Sequence, residues 1–165
     1  MSNAKTIRMP AVFPNPDHDH ARCAADTLAH AEALCVARSQ RLTPLRRQVL
    51  ETLSISHKPL GAYEIIDRMA EKGARPSPIT VYRALEFLLD NGLAHRIESR
   101  NAFLACGHNH DAGALVVFLI CDHCGAVGEA PATAVADALA AAAKKASFRP
   151  KISVIEIRAS CQFNR

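Results

Sequence analysis

The sequence predicts an α+β protein with a helical N-terminal part and a smaller C-terminal part that combines strands with one helix. Short amphipathic segments, several preceded by a capping residue and a proline, indicate helices up to Gly92. Apolar β-type runs begin near residue 114. The chain has 165 residues and is 49% hydrophobic, which is enough to form a packed core in one domain or in two small ones.

Residues 1–21 are predicted to form a flexible arm, because they lack apolar periodicity and contain three prolines. The DHDH run at Asp17–His20 could bind a metal ion weakly, although a disordered acidic and histidine-rich tail is the simpler interpretation. An alanine-rich helix follows, with Ala31 and Cys35 on one stripe.

Three further helices are predicted to begin near residues 44, 62 and 78. Thr43 precedes Pro44 and Ser77 precedes Pro78, so a side-chain cap is followed by the proline that favours the first helical position. Three short helices in this order are typical of a helix-turn-helix, in which the last helix enters the major groove of DNA.

The last of these helices would bury Val81, Leu85 and Leu88 and leave Arg83 on the opposite side. The segment Arg38–Arg100 holds 11 of the 20 Lys and Arg residues but only seven of the 16 Asp and Glu residues. This local excess of positive charge suits an anionic partner such as double-stranded DNA, and on charge alone a solvated basic face fits equally well. The candidate DNA contacts are Arg46, Tyr63, Thr80, Tyr82 and Arg83.

A β-hairpin that turns at Ser99–Asn101 follows the last helix. A hairpin in this position is a wing, so residues 22–104 are predicted to form a winged helix-turn-helix domain. A hinge loop, 105–113, leads to a dimerisation and metal-binding domain, 114–165. Its predicted elements are strands at Ala114–Ile120, Ala126–Ala130 and Ile152–Arg158 and a helix at Pro131–Phe148.

Three strands and one helix bury little surface alone, which predicts that this domain pairs with a second copy. A symmetric homodimer also suits palindromic DNA. The chain shows neither a secretory signal nor an apolar run near the roughly 20 residues of a membrane helix. We therefore expect a cytoplasmic protein without a membrane partner, whose cysteines bind metal rather than form disulfides.

Cysteine and histidine residues cluster where the two parts join. Cys121 and Cys124 form a C-x-x-C motif, a spacing that lets two thiolates bind one zinc ion through a tight turn. A second set mixes nitrogen, sulfur and oxygen donors: His95, Cys106, His108, His110 and Glu129. Thiolate together with imidazole favours zinc over harder ions.

Two other functional classes fit these cysteines less well. A zinc hydrolase would need an open metal position beside a substrate cleft, and no HExxH-type helix is visible, so we expect neither an enzyme nor a small-molecule substrate. A constitutive zinc-ribbon module would explain the C-x-x-C motif but leave His95, Cys106 and Glu129 without a role.

Three stretches resemble the ferric uptake regulator family: LTPLR from Leu42, TVYRAL at Thr80–Leu85 and ICDHCGAVGE at Ile120–Glu129. The resemblance extends from about residue 22 to Cys161 and is closest to the zinc-sensing branch. It implies a homodimeric repressor that binds operator DNA when loaded with zinc and thereby represses zinc-uptake genes. A relative that responds to another metal or to peroxide is the alternative.

The resemblance implies one regulatory and one structural zinc ion per protomer. The regulatory ligands of the family match His95, Cys106 and Glu129, together with a histidine of the following loop. Ala114 occupies the ungapped position of that histidine, so His108 or His110 would serve instead. His110 is favoured because its greater distance from Cys106 along the chain makes a less strained chelate loop.

The structural ligands of the family match Cys121, Cys124 and Cys161. The fourth position departs from the family pattern, because Asn164 stands where a second C-x-x-C pair would end. The candidates for the fourth donor are Asn164, His123, Cys23 and an exogenous ligand such as water.

Overall fold

The computed structural model describes residue 13 and residues 19–107, 115–150 and 154–160, and it confirms the predicted α+β class. No helix within these ranges is both long and apolar enough to cross a membrane. Most of the predicted arm lies outside the described residues.

The helices are α1 (His20–Ala37), α2 (Pro44–Ser54), α3 (Ala62–Ala70), α4 (Pro78–Asp90) and α5 (Thr133–Lys145). The strands are β1 (Ala94–Ile97), β2 (Ala102–Ala105), β3 (Val116–Cys121), β4 (Val127–Pro131) and β5 (Ile155–Ala159).

Side-chain caps determine where three of the helices begin. Thr43 and Ser77 each accept a backbone N–H bond from the residue three positions further on, and a proline follows each cap, as predicted. Helix α1 begins at His20, inside the segment predicted to be an arm. The reason is that the Asp19 carboxylate accepts backbone N–H bonds of 3.0 and 3.1 Å from the next turn. The end of the DHDH run is therefore a helix start and not a tail.

The four N-terminal helices pack around one core. Helix α2 contacts α1, α3 and α4. The predicted stripe of α4 is buried, since Val81, Leu85 and Leu88 are at most 1% exposed, whereas Arg83 is exposed. Phe103 from β2 completes this core. We call the unit of α1–α4, β1 and β2 the head.

Strands β1 and β2 pair antiparallel and form the predicted wing. The short 3-10 turn Glu98–Arg100, which we call the wing turn, joins them, and Asn101 then adopts a left-handed conformation with φ of 46°. Leu60 and Phe103 exchange two backbone hydrogen bonds of 2.8 Å. The wing is therefore part of the head and not an independent hairpin.

The C-terminal part contains a three-stranded sheet in the order β4-β3-β5, which we call the sheet domain together with α5. Strand β3 pairs antiparallel with β4 and parallel with β5, and the parallel pairing requires a crossover, which contains α5. Helix α5 begins at Thr133 and not at Pro131 as predicted, because Pro131 is the last residue of β4 and pairs with Val116.

The wing also packs against the sheet domain, through a second apolar core. Two wing residues and four sheet residues form it, and all are buried: Ile97, Leu104, Val116, Phe118, Ile120 and Val127. The wing thus lies between the helices on one side and the sheet on the other. This arrangement brings the ends of the wing beside the polar groups of the sheet.

Candidate metal centre and DNA-binding surface

Three of the predicted regulatory ligands meet between the wing and the sheet. His95 on β1, Cys106 just after β2 and Glu129 on β4 each place one donor atom within 4.8 Å of the other two. The distance to Glu129 Oε2 is 3.7 Å from His95 Nε2 and 3.9 Å from Cys106 Sγ. Within residues 19–107, 115–150 and 154–160, no other group of three His, Cys, Asp or Glu side chains is this close.

Backbone and ring contacts orient the three side chains. Gly107 N donates a hydrogen bond of 3.1 Å to Glu129 Oε1, which leaves Oε2 directed towards His95 and Cys106. The His95 ring packs against Phe118, the sheet residue opposite Glu129, with ring centroids 5.1 Å apart. The cluster is therefore fixed by both the wing and the sheet.

The geometry and burial of this cluster fit a zinc ion. The Glu129 side chain is only 4% exposed, and a buried carboxylate is costly unless positive charge compensates it. Tetrahedral zinc, with bonds of about 2.0–2.3 Å, holds neighbouring donors about 3.3–3.6 Å apart. The observed donor separations are 3.7 and 3.9 Å to Glu129 Oε2, and all three donors lie within 4.8 Å of one another, so an inward movement of the side chains would bring them to zinc-binding distances. The predicted loop donors, His108 and His110, lie outside the described residues.

The C-x-x-C motif forms a tight turn between β3 and β4. Gly125 N donates to Cys121 O (3.0 Å) and Cys124 N donates to Cys121 Sγ (3.5 Å). Gly125 has φ of 77°, a left-handed conformation that a glycine adopts without strain. The N–H bond to sulfur stabilises a thiolate, the form of cysteine that binds metal.

The third predicted structural ligand, Cys161, and the candidate Asn164 lie outside the described residues. Strand β5 ends at Ala159, which pairs with Cys121 in the sheet. Neither His123 nor Cys23 joins Cys121 and Cys124 in a compact group of three donors in the described part of the chain. Of the described candidates, neither therefore supplies a further donor beside the two thiols of the C-x-x-C motif.

The cysteines of α1 have the character of packed thiols. Burial raises the pKa of Cys35 above its ordinary value. Burial, with a smaller contribution from the Asp26 carboxylate, also raises the pKa of Cys23. A raised pKa keeps these thiols protonated as long as no metal ion is bound to them.

The predicted DNA contacts on α3 and α4 are exposed on the head. Tyr63 is 62% and Tyr82 43% exposed, and Arg83 is exposed beside Tyr82. Thr80 is also exposed, although its hydroxyl donates a 2.8 Å hydrogen bond to Ser77 O and so helps to build the start of α4.

Arg46 has a different environment from the other candidates. Its guanidinium lies 3.6 Å from the centroid of the Phe87 ring and donates a 2.7 Å hydrogen bond to Arg41 O. The contact with Phe87 connects the start of α2 with α4, and the bond to Arg41 O holds the segment before α2. Arg46 therefore has a structural role within the head in addition to the DNA contact predicted for it.

The sequence reasoning missed the contacts that hold the wing turn to the sheet. The carboxylate of Glu156 on β5 accepts hydrogen bonds from Glu98 N and Ser99 N, and Arg100 Nη2 donates to Cys121 O. A charged residue between Ile155 and Ile157 was the available signal, because alternate residues of a strand face opposite sides of a sheet.

A winged helix-turn-helix head that meets a second, strand-rich domain at a cluster of His, Cys and Glu side chains defines a winged-helix protein with a candidate metal centre at its domain junction. The sequence matches the ferric uptake regulator family over residues 37–158. The chain belongs to the ferric uptake regulator family, as the motifs predicted.

Similar proteins include the zinc uptake regulation protein of Escherichia coli (strain K12), which is 38% identical over 136 residues. That match covers 82% of this chain and 80% of the E. coli protein. A solved zinc uptake regulator in complex with zinc and DNA is 37% identical, with a TM-score of 0.80 over 85% of this chain and 93% of that one.

The protein XcZur has been solved in two forms that match this chain unequally. Its holo form is 40% identical, covers 84% of this chain and 96% of its own, and gives a TM-score of 0.78. Its apo form is 37% identical, covers 86% of this chain and 97% of its own, and gives a TM-score of only 0.51.

Proposed function

We propose that the protein is a zinc-responsive transcriptional repressor that binds operator DNA as a zinc-loaded homodimer and represses zinc-uptake genes. The observation that carries this proposal is the meeting of His95, Cys106 and Glu129 between the DNA-reading head and the sheet domain. A metal site in this position depends on the orientation of the head, whereas a site inside one domain would not. Metal binding and DNA binding would therefore be linked.

Zinc is the metal that the donor set favours. A thiolate beside an imidazole and a carboxylate suits zinc better than manganese(II), which prefers oxygen donors, or iron(II), for which two histidines and one carboxylate are typical of non-haem sites. We propose His110 as the fourth donor, with His108 as the alternative, and a second, structural zinc ion on Cys121, Cys124 and Cys161. The zinc-bound and DNA-bound relative of 37% identity supports the same choice of metal.

The residues of the cluster would act by holding the head at one angle to the sheet domain. A zinc ion, when bound, supplies the positive charge that keeps the Glu129 carboxylate and the Cys106 thiolate together. His95 and Cys106 then fix both strands of the wing to β4. Phe103 on the wing is hydrogen-bonded to Leu60, between α2 and α3, and both pack in one core with residues of α4, so the orientation of α4 would follow that of the wing.

The orientation of the head matters because a dimer reads two half-sites that lie one helical turn, or a multiple of it, apart. Heads without a fixed orientation leave this spacing undefined. A ligand that binds the fixed arrangement more tightly increases its population. The greater likeness of this chain to the holo form of XcZur than to its apo form supports such a two-state mechanism.

Exposed apolar residues of the sheet domain support the homodimer. Val135 and Leu139 lie four residues apart on α5 and are 44% and 43% exposed, and Ile157 on the edge strand β5 is 49% exposed. Apolar side chains and an unpaired strand edge favour association with another chain. The proposed division keeps the predicted order of arm, DNA-binding domain, hinge loop and dimerisation domain (114–165), but the arm ends before α1 and the DNA-binding domain runs from α1 through β2. We also propose a cytoplasmic location.

The test is DNA binding with and without zinc. An operator is first selected from random duplex DNA with the zinc-loaded protein, and its affinity is then measured with added zinc, with a zinc chelator, and with iron(II) or manganese(II). Coupling of about 1–3 kcal/mol would make zinc strengthen binding roughly 5- to 150-fold. Equal affinity with zinc and with chelator contradicts the proposal, and a stronger response to iron or manganese would assign a different sensed metal.

A further inference from the structure

We propose that Glu156 is a positioning residue for operator binding, which anchors the wing turn to the sheet domain without any metal. Its two carboxylate oxygens accept separate backbone hydrogen bonds, Oε1 from Glu98 N at 2.6 Å and Oε2 from Ser99 N at 3.2 Å. Hydrogen bonds to a carboxylate are stronger than neutral ones, and a pair of them also fixes the angle between the partners. This inference rests on the repressor function proposed above.

The position of Glu156 in the sheet complements that of the metal cluster. Phe118 on β3 pairs with Glu129 on one side and with Glu156 on the other, so the three residues form one row on one face of the sheet. With strands about 4.8 Å apart, the two glutamates are separated by about 10 Å. One carboxylate meets the open end of the wing, at His95 and Cys106, and the other meets its turn.

Two anchors on one row restrict the head more than either anchor alone. With only the Glu129 contact, the wing could still rotate about that end. The apolar core between wing and sheet opposes separation, but apolar contact is not directional and leaves the angle less well defined. Arg100, which donates to Cys121 O at 3.3 Å, supports the turn at the same place.

The two anchors differ in what they require. The contact of Glu129 with His95 and Cys106 brings together groups that bind a metal, whereas Glu156 uses backbone N–H groups that are always present. Glu156 would therefore raise the fraction of heads that are already oriented before zinc binds. Because apparent affinity scales with the fraction of the competent state, Glu156 would increase zinc affinity at the regulatory site as well as DNA affinity.

The test compares Glu156→Ala and Glu156→Gln with Arg158→Ala in the full-length dimer. Arg158 lies two residues further along β5 and forms an ion pair of 2.8 Å with Asp122, whose carboxylate also lies 4.0 Å from Arg100 Nη2 in the wing turn. Arg158→Ala leaves both hydrogen bonds of Glu156 in place, so it is the matched control for the loss of a charged residue of β5. Regulatory zinc affinity is measured without DNA, by competition with a chromophoric chelator. Exchange of the Glu98 and Ser99 amide hydrogens is measured on the same proteins with only the structural zinc bound.

We expect Glu156→Ala to weaken zinc binding at the regulatory site about 5- to 10-fold and to accelerate exchange of both amides. Glu156→Gln, which keeps one carbonyl acceptor, should lie between wild type and Glu156→Ala, and Arg158→Ala should match wild type. The proposal is overturned if Glu156→Ala has the same zinc affinity and the same amide exchange rates as wild type. It is also overturned if Arg158→Ala changes both quantities as much as Glu156→Ala does. The exchange measurement needs no DNA, so it tests the role of Glu156 independently of the repressor function. A failure of the repressor function would instead appear as operator binding by the wild-type protein that does not change when zinc is added.

Discussion

Phe103 and Leu104 are neighbours on β2, yet they pack into different cores. Phe103 lies in the core of the head, and Leu104 lies in the core between the wing and the sheet. The two residues are 6% and 3% exposed, so both are buried although their side chains point in opposite directions. Each core can therefore be weakened separately by a substitution at adjacent positions.

Leu104→Ala should loosen the docking of the wing on the sheet while the head stays folded. Removing a buried leucine side chain costs about 2–5 kcal/mol, which here would fall on the interface with the sheet domain. We expect weaker regulatory zinc binding and faster amide exchange in β3, with the helical circular dichroism unchanged at 25 °C. Phe103→Ala is the matched control, and it should lower the unfolding temperature of the head itself. If both variants lose head structure equally, the two cores do not behave independently.

The fold was predictable where local signals were strong. Thr43 with Pro44 and Ser77 with Pro78 marked helix starts within a residue, and the apolar stripe of α4 identified which residues are buried. The start of α1 was missed because Asp19 belongs to a run that also suits a disordered tail. A cap is recognisable only when the following residues are known to be helical.

The candidate site was only partly predictable for a different reason. His95, Cys106 and Glu129 were chosen by residue type and by resemblance, and the structure brings them together. Glu156 contacts Glu98 and Ser99, which precede it in the sequence by 58 and 57 positions, and these contacts depend on the parallel register of β3 and β5. No local pattern encodes such a register, so the sequence could suggest only that Glu156 faces away from its apolar neighbours.

Arg83→Ala should weaken operator binding without changing zinc content or the dimer. Arg83 is exposed on α4, and a bidentate contact between arginine and guanine is worth about 1–3 kcal/mol of discrimination. The loss should therefore be roughly 5- to 150-fold for the selected operator and smaller for random DNA, as measured by fluorescence anisotropy. Arg47→Ala serves as the control, because Arg47 is engaged with Glu32 and Glu51 on the helices. Unchanged operator affinity in Arg83→Ala would remove Arg83 from the DNA contacts.

Cys121→Ser should remove the structural zinc ion and with it the stability of the sheet domain. Cys121 is fully buried and receives the Cys124 N–H bond on its sulfur, so a metal bound there contributes directly to folding. We expect one zinc ion fewer per protomer by atomic emission, a lower unfolding temperature, and monomers by size-exclusion chromatography with light scattering. A variant that stays dimeric and as resistant to heat as wild type would show that the C-x-x-C motif is not a structural zinc site.

Cys106→Ser should separate metal sensing from folding. The Cys106 sulfur lies 3.9 Å from Glu129 Oε2 at the junction of the two domains, so replacing it removes a proposed ligand without opening either core. Serine is a poor zinc ligand at neutral pH, because its hydroxyl stays protonated, whereas a cysteine that binds zinc does so as a thiolate. We expect a folded dimer that keeps its structural zinc ion but gains no operator affinity when zinc is added. The same substitution at Cys23, a partly exposed cysteine on α1, should leave the zinc response intact. A normal zinc response in Cys106→Ser would place the sensor elsewhere, and the histidines at positions 18 and 20 would then be the next residues to replace.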